Sequence, residues 1–225
     1  MATVEPVYTG PELCRLTARE AIAKLKSGDI TSVELVEASL TRIGQTSAAV
    51  NAMVTPCPDR ARRAAAQADV TSLLAGLPIG IKDLTPVAGV RTTYGTPGLA
   101  DNVPETSDPL VTRLEDRGGV VMGKTNTPEM GAGSNTFNPI FGATRNPWDT
   151  RMNAGGSSGG AAAGLAVGGC VLGHAQLADP VLQSVAVVMR IARIGQAGKA
   201  AARKADHRRV GALGRARLVP GAGHR

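Results

Sequence analysis

The sequence predicts an α/β fold in which a mixed sheet is layered with helices, and three observations carry that prediction. In Leu77-Pro-Ile-Gly-Ile-Lys-Asp83 the apolar residues Leu77, Ile79 and Ile81 alternate, which is a strand pattern. After a loop, Asp108-Pro109 reads as an N-cap followed by proline at the first helical position. Leu110, Val111 and Leu114 lie on that helix, which runs to Arg117 with Gly118 as its stop. Val120-Val-Met122 then reads as a short buried strand. Strand, loop, helix, strand is the order expected of layered α/β architecture.

The remaining elements follow in order. Thr17-Ala-Arg-Glu20 has capping-box spacing, with Leu16, Ile22 and Leu25 as apolar positions and Gly28 as the stop. Thr31-Ser-Val-Glu34 repeats the signal. Val33, Val36, Leu40 and Ile43 follow at helical spacing, and Gly44 is the expected end. Pro56 and Pro58 break the chain before a third helix, Asp59 to Ala68. From Pro86 to Asp108, glycines and prolines mark a loop. In Asn153-Ala-Gly-Gly-Ser-Ser-Gly-Gly-Ala-Ala-Ala-Gly164, Gly155 and Gly156 permit unusual backbone angles. Gly159 and Gly160 permit close approach of another segment, and Ala161 to Val167 reads as a buried helix. Ser157 and Ser158 therefore sit at a helix start, where free N–H groups suit a hydroxyl or an anion.

Composition bounds the function. The 225 residues are 43% apolar, enough for a core, but only 2% aromatic, and the five aromatics all lie between Tyr8 and Trp148. The lack of a charged-then-apolar leader and of a long apolar run argues against secretion and membrane spanning, and predicts a cytoplasmic protein. Cys14, Cys57 and Cys170 fit neither zinc spacing nor a disulfide framework and read as reduced core thiols. The net charge of +7 is uneven: residues 190–225 hold ten Lys/Arg against one acid, so residues 1–189 carry −2.

Two features admit more than one reading. Gly118-Gly-Val-Val-Met-Gly-Lys-Thr125 satisfies the phosphate-loop pattern. Its spacer is strand-like, however, and Pro128, Gly131 and Gly133 follow where a helix is required, so nucleotide binding is rejected. Lys82 ends an apolar strand. It is either a surface lysine that lays its stem along apolar neighbours or a buried site lysine beside Asp83. Ser157 and Ser158 are likewise either a helix cap without chemistry or part of a site.

Five motifs occur in order: Gly80-Ile-Lys-Asp83, Gly123-Lys-Thr-Asn126, Phe141-Gly142, Arg145-Asn-Pro-Trp148 and Gly155-Gly-Ser-Ser-Gly-Gly160. Together they resemble the amidase signature family, over about residues 10–172. The resemblance implies the N-terminal half of that fold, a mixed sheet with helices on both faces. It also implies hydrolysis of a carboxylic amide through an acyl-serine intermediate, with no metal and no cofactor. Amide hydrolysis needs a nucleophile, a base and oxyanion donors. The family uses Ser–Ser–Lys. By resemblance Lys82 is the base, neutral at work, and Ser157 is the bridging serine, whose preceding peptide bond is cis. Ser158 supports the site, and the loop carrying Gly131, Gly133 and Ser134 lines the substrate pocket. The three histidines, His174, His207 and His224, all fall outside the motif block.

The pattern then stops. The family's nucleophile lies in a Gly-Gly-Ser motif about two dozen residues after the bridging serine, but the register here falls at Val181 in Asp179-Pro-Val-Leu-Gln-Ser-Val185. Ser184 is the only serine beyond Ser158 and stands in an apolar run, which argues against it as nucleophile. The expectation is a partial amidase-signature domain over 1–172 and a divergent basic Ala/Arg/Gly-rich tail over 173–225, as a truncation or a shifted reading frame would leave. A helix over Val181–Ile194 is a further expectation. The expected partner is a small-molecule amide. An active amidase, an inactive remnant, a homo-oligomer and an amidotransferase subunit with its own partner all remain open. The basic tail also admits nucleic-acid binding, but it has no aromatic residue to stack on a base and no recognised motif.

Overall fold

The structure is a computed structural model, and it describes residues 9–175 and 186–189. After a 3-10 turn at Glu12–Arg15 come helices α1 (Ala18–Ser27) and α2 (Ser32–Val50). Both begin with the capping boxes expected: Thr17 and Thr31 accept from the backbone N–H of Glu20 and Glu34, whose carboxylates accept from the cap backbone in return. Gly28 ends α1 in the left-handed conformation, at φ 79°. Gly44 does not end α2. The helix continues to a left-handed Asn51, because burial of Ile43 and Val50 outweighs the ~1 kcal/mol that glycine costs inside a helix.

Strand β1 (Met53–Pro56) follows, where the sequence reads only a break at Pro56 and Pro58. Proline is tolerated there because β1 is an edge strand, paired on one side to β3 (Val120–Thr125). Helix α3 occupies Pro58–Ala66, β2 Pro78–Lys82 and α4 Pro109–Asp116. Asp108 caps α4 by accepting from the Leu110 N–H at 2.8 Å. Two short hairpins come next, β4 (Phe137–Asn138) with β5 (Gly142–Ala143), and β6 (Arg145–Asn146) with β7 (Asp149–Asn153). Helix α5 spans Gly159–Val167, β8 spans Leu172–Ala175 and β9 spans Ala186–Met189.

The central sheet has the order β1-β3-β2-β8-β9. β2 runs parallel to β3 and β8, while β1 and β9 pair antiparallel, so the sheet is mixed as expected. The helix considered for Val181–Ile194 is a strand at 186–189, where pairing with β8 satisfies the backbone. The rest of that segment, and residues 190–225, lie outside the described residues. Gly118–Thr125 is not a phosphate loop, because all six residues of β3 are buried strand.

Side-chain alternation assigns the helices to the two faces of the sheet. Ile79 and Ile81 pack with Ala21 and Leu25 of α1, Leu35 of α2 and Val111 of α4. Gly80 and Gly173, partners in register, face the other way. A Cβ on Gly173 would touch Leu165 and Ala161 of α5 at 3.1–3.4 Å. The start of α5 approaches more closely still: a Cβ on Gly160 would collide with the Asn126 backbone nitrogen. That contact docks α5 onto the end of β3.

Two glycine substitutions separate these roles. Gly160→Ala forces backbone apart and should destabilise by about 3 kcal/mol. Gly44→Ala points into open space on an exposed helix position and should stabilise by about 0.5–1 kcal/mol. Urea denaturation of both variants checks the sign and the order.

Candidate functional site

Lys82 is the last residue of β2 and 1% exposed. Its position two residues after Gly80 puts its side chain on the α5 face. Ser157 precedes α5, in a turn shaped by Gly155 at φ 81° and by a cis Gly156–Ser157 peptide. The two meet: Lys82 Nζ donates to Ser157 Oγ at 2.8 Å. Burial pushes the Lys82 ammonium down from 10.5 to about 8. A buried amine with a pKa near neutrality, hydrogen-bonded to a half-buried hydroxyl, can exchange a proton with it.

The Ser157 turn is held by a polar scaffold. Asn153 Oδ1 accepts from the Gly155 N–H at 2.8 Å, and the Thr136 N–H donates to the Gly155 carbonyl at 3.0 Å. Thr136 Oγ1 accepts from the Gly159 N–H at 3.0 Å. A Cβ on Gly159 would overlap that same oxygen, which is why glycine is required there. Thr136 in turn is tied to Thr144 by backbone, and Asn126 Nδ2 donates to Thr144 Oγ1 at 3.0 Å. A chain of hydrogen bonds therefore runs from the end of β3 to the serine turn. Asn126, Thr136, Asn138 and Thr144 are fully or almost fully buried. Of these four, only Asn126 falls within one of the five sequence motifs, because lone Asn and Thr residues carry no spacing signal.

The other expected site residues are placed as follows. Ser158 is the N-cap residue of α5 and makes no side-chain cap bond to the helix, so the simple capping role is not what it performs. Gly131, which ends the Glu129–Gly131 turn, and Gly133, in the loop after it, take left-handed backbone, at φ 72° and 141°. Ser134 is exposed, and the segment reaches the serine turn through Asn135, whose backbone lies about 3.1 Å from where a Gly156 Cβ would be. Ser184 lies outside the described residues. A surface depression of about 640 Å³, lined by Asn51, Phe141, Arg145 and Thr150 among others, does not include Lys82 or Ser157.

One functional candidate carries no sequence signal of its own. Lys124, met in the sequence only as a motif member, is 0% exposed and lies 3.6 Å from the equally buried Asp83. Burial pushes Lys124 down, to about 8, against the opposing pull of the Asp83 carboxylate. Burial also raises the Asp83 pKa, against its Thr93 and Lys124 partners.

Comparison with known proteins places the chain in a family. The family described as Amidase matches residues 34–176, well over half of the chain. The chain belongs to the Amidase family. It is 44% identical over 164 residues to a glutamyl-tRNA(Gln) amidotransferase subunit of Anaeromyxobacter dehalogenans, covering 70% of this chain and 33% of that one. The corresponding protein of Chloroflexus aurantiacus is also 44% identical over 164 residues, with 70% and 34% covered. Among solved structures, 6-aminohexanoate cyclic dimer hydrolase superposes with a TM-score of 0.68 at 32% identity, covering 73% of this chain and 34% of that one. A bacterial aryl acylamidase of the amidase signature enzymes gives 0.67 at 33% identity, with 71% and 35% covered. The chain thus spans about a third of the length of the curated relatives it matches. Among the described residues no helix is long and apolar enough to cross a membrane.

The depressed lysine has a measurable consequence for stability. Below about pH 8 Lys82 is charged in both folded and unfolded chains, and the whole cost of burying the charge is present. Between about 8 and 10.5 the unfolded chain binds more protons, so stability rises with pH. Lys82→Met removes that contribution. Its stability relative to the parent should be most favourable below pH 8 and decline through the interval up to 10.5. Urea titrations at pH 6, 8 and 10 test this, and a pH-independent offset would contradict it.

Proposed function

We propose that this chain carries the base and the relay of a Ser–Ser–Lys amide-hydrolysing site. The observation that supports the reading is the 2.8 Å bond between buried Lys82 and Ser157. In the proposed chemistry Lys82 Nζ, neutral, takes the proton of Ser157 Oγ while Ser157 takes the proton of a serine nucleophile. The nucleophile's oxygen attacks the amide carbon, and the proton returns by the same path to the leaving nitrogen as the C–N bond breaks. Water then releases the acid from the acyl-serine. Ser158 supports the turn, and the loop with Gly131, Gly133 and Ser134 lines the amide's path. Residues 1–172 carry the amidase motifs, and 173–225 are a divergent basic stretch of a cytoplasmic protein whose described residues still pair in the central sheet as the end of β8 and as β9. Because the sequence has no Gly-Gly-Ser after Ser158, the nucleophile is unassigned and the isolated chain is proposed to be inactive or nearly so.

A second reading is favoured by the 44% identity to amidotransferase subunits. In it the same lysine and serine serve an amidotransferase component that supplies ammonia to a partner, rather than a stand-alone hydrolase.

NMR of ¹³C-lysine-labelled chain tests the proposal, with the Lys82 signal assigned by its loss in Lys82→Met. A midpoint near 8 that shifts in Ser157→Ala is the expected result, and a midpoint at 10.5 would sink the base assignment. A panel of simple amides should give no turnover. Turnover that vanishes in Ser184→Ala would instead assign the nucleophile.

A further inference from the structure

Lys124 and Asp83 are a fully buried ion pair that the proposed proton transfers do not use. Such pairs seldom repay their desolvation, so their presence calls for a role other than net stability. Register supplies the first clue. Ile81 pairs with Lys124, and Lys82 with Thr125. Lys82 and Lys124 therefore leave the sheet on opposite faces, Lys82 toward Ser157 and Lys124 toward the loop that follows β2.

Among the described residues, every donor contact of Lys124 falls on that loop. Its Nζ donates to the Thr85 carbonyl at 2.6 Å and to Thr92 Oγ1 at 2.8 Å, with Asp83 Oδ1 at 3.6 Å. Asp83 is tied to the far side of the same loop. The Thr93 hydroxyl donates to Oδ2 at 2.6 Å, and the Thr93 N–H lies 3.2 Å from both carboxylate oxygens. The backbone closes the turn: Asp83 N–H to the Thr125 carbonyl, Thr85 N–H to the Lys82 carbonyl and Tyr94 N–H to the Asp83 carbonyl, each at 3.0 Å. The carbonyl of Lys82 itself is thus gripped by the N–H of Thr85, whose own carbonyl is anchored by Lys124. Among the described residues, the other titratable groups facing Lys124 are the Cys57 thiol, pushed up to about 11 by burial, and beyond it the Arg60–Glu115 pair at 2.7 Å.

We propose that the buried Lys124–Asp83 pair is the positioning device for Lys82: it locks the turn after β2 from the opposite face of the sheet, so that the Lys82 amine stays dry and within reach of Ser157. This deepens the reading of Lys82 as base and rests on it. Lys124 acts through the Lys82–Thr85 turn and does not touch the relay.

The readout is the Lys82 titration in the full chain by ¹³C-lysine NMR. The charge-neutral pair Lys124→Met with Asp83→Asn removes the lock without changing net charge. Lys82 depends on burial for its depressed pKa, so loosening its turn should admit water and raise its midpoint from about 8 by about one pH unit, toward 10.5. Val36→Ala, a truncation in the separate core cluster with Val120 and Met122, is the stability control and should leave the midpoint in place. A paired variant whose Lys82 stays near 8 overturns the proposal, as does an equal rise in Val36→Ala. If the paired variant does not fold, Thr92→Val carries the test. It removes one acceptor and should give a smaller rise of the same sign, and an unmoved midpoint overturns the proposal. A parent Lys82 that titrates at 10.5 defeats the base assignment itself, an outcome distinct from a parent near 8 that the variants fail to move.

Discussion

The contact between the first turn of α5 and the end of β3 is the constraint on which the site depends. Gly160 lies against the Asn126 backbone with no room for a Cβ, and Gly159 lies against Thr136 in the same way. Two successive glycines thus let a helix start where a side chain would have forced it outward. Because β2 and β3 are parallel neighbours, fixing α5 to the end of β3 also fixes it beside Lys82 at the end of β2. The 2.8 Å Lys82–Ser157 bond follows from that docking.

Burial pushes both lysines down to about 8, but their partners differ. Lys82 donates to a neutral hydroxyl, and the desolvation of its charge makes the amine easily deprotonated. Lys124 meets a carboxylate, a carbonyl and a hydroxyl, and the carboxylate pulls its pKa back up against burial, a pull that has no counterpart at Lys82. On the proposed reading, two lysines on adjacent strands and opposite faces divide into a proton acceptor and a structural cation. The carboxylate beside Lys124 makes the difference, since depth of burial is nearly the same for both.

Much of this was legible in the chain. The capping boxes at Thr17 and Thr31, the Asp108-Pro109 start of α4 and the alternation through Ile79 and Ile81 are local signals, and local structure obeys them. Gly44 fails as a stop signal because a glycine's cost is small beside the burial of its neighbours. Strand β1 escapes a sequence reading because its one proline, Pro56, is forbidden only in the interior of a sheet, and nothing local says which strand is at the edge. Residues 186–189 carry apolar residues that fit helix or strand equally, and only a partner strand decides between them.

For the site, the linear chain sets the residue types and their order: a lysine closing a glycine-flanked strand and a serine pair inside a glycine turn. Those two features, with the motifs between them, are enough to point to the family. They leave Lys82 open between surface and interior, and Ser157 between cap and site, because exposure and distance are not properties of a linear chain. Packing α5 on the sheet is what buries the lysine and brings it to the serine. Packing also finds the place of Lys124, whose neighbours Asp83, Thr85 and Thr92 stand some thirty to forty residues away in sequence and come within reach only when β3 pairs with β2.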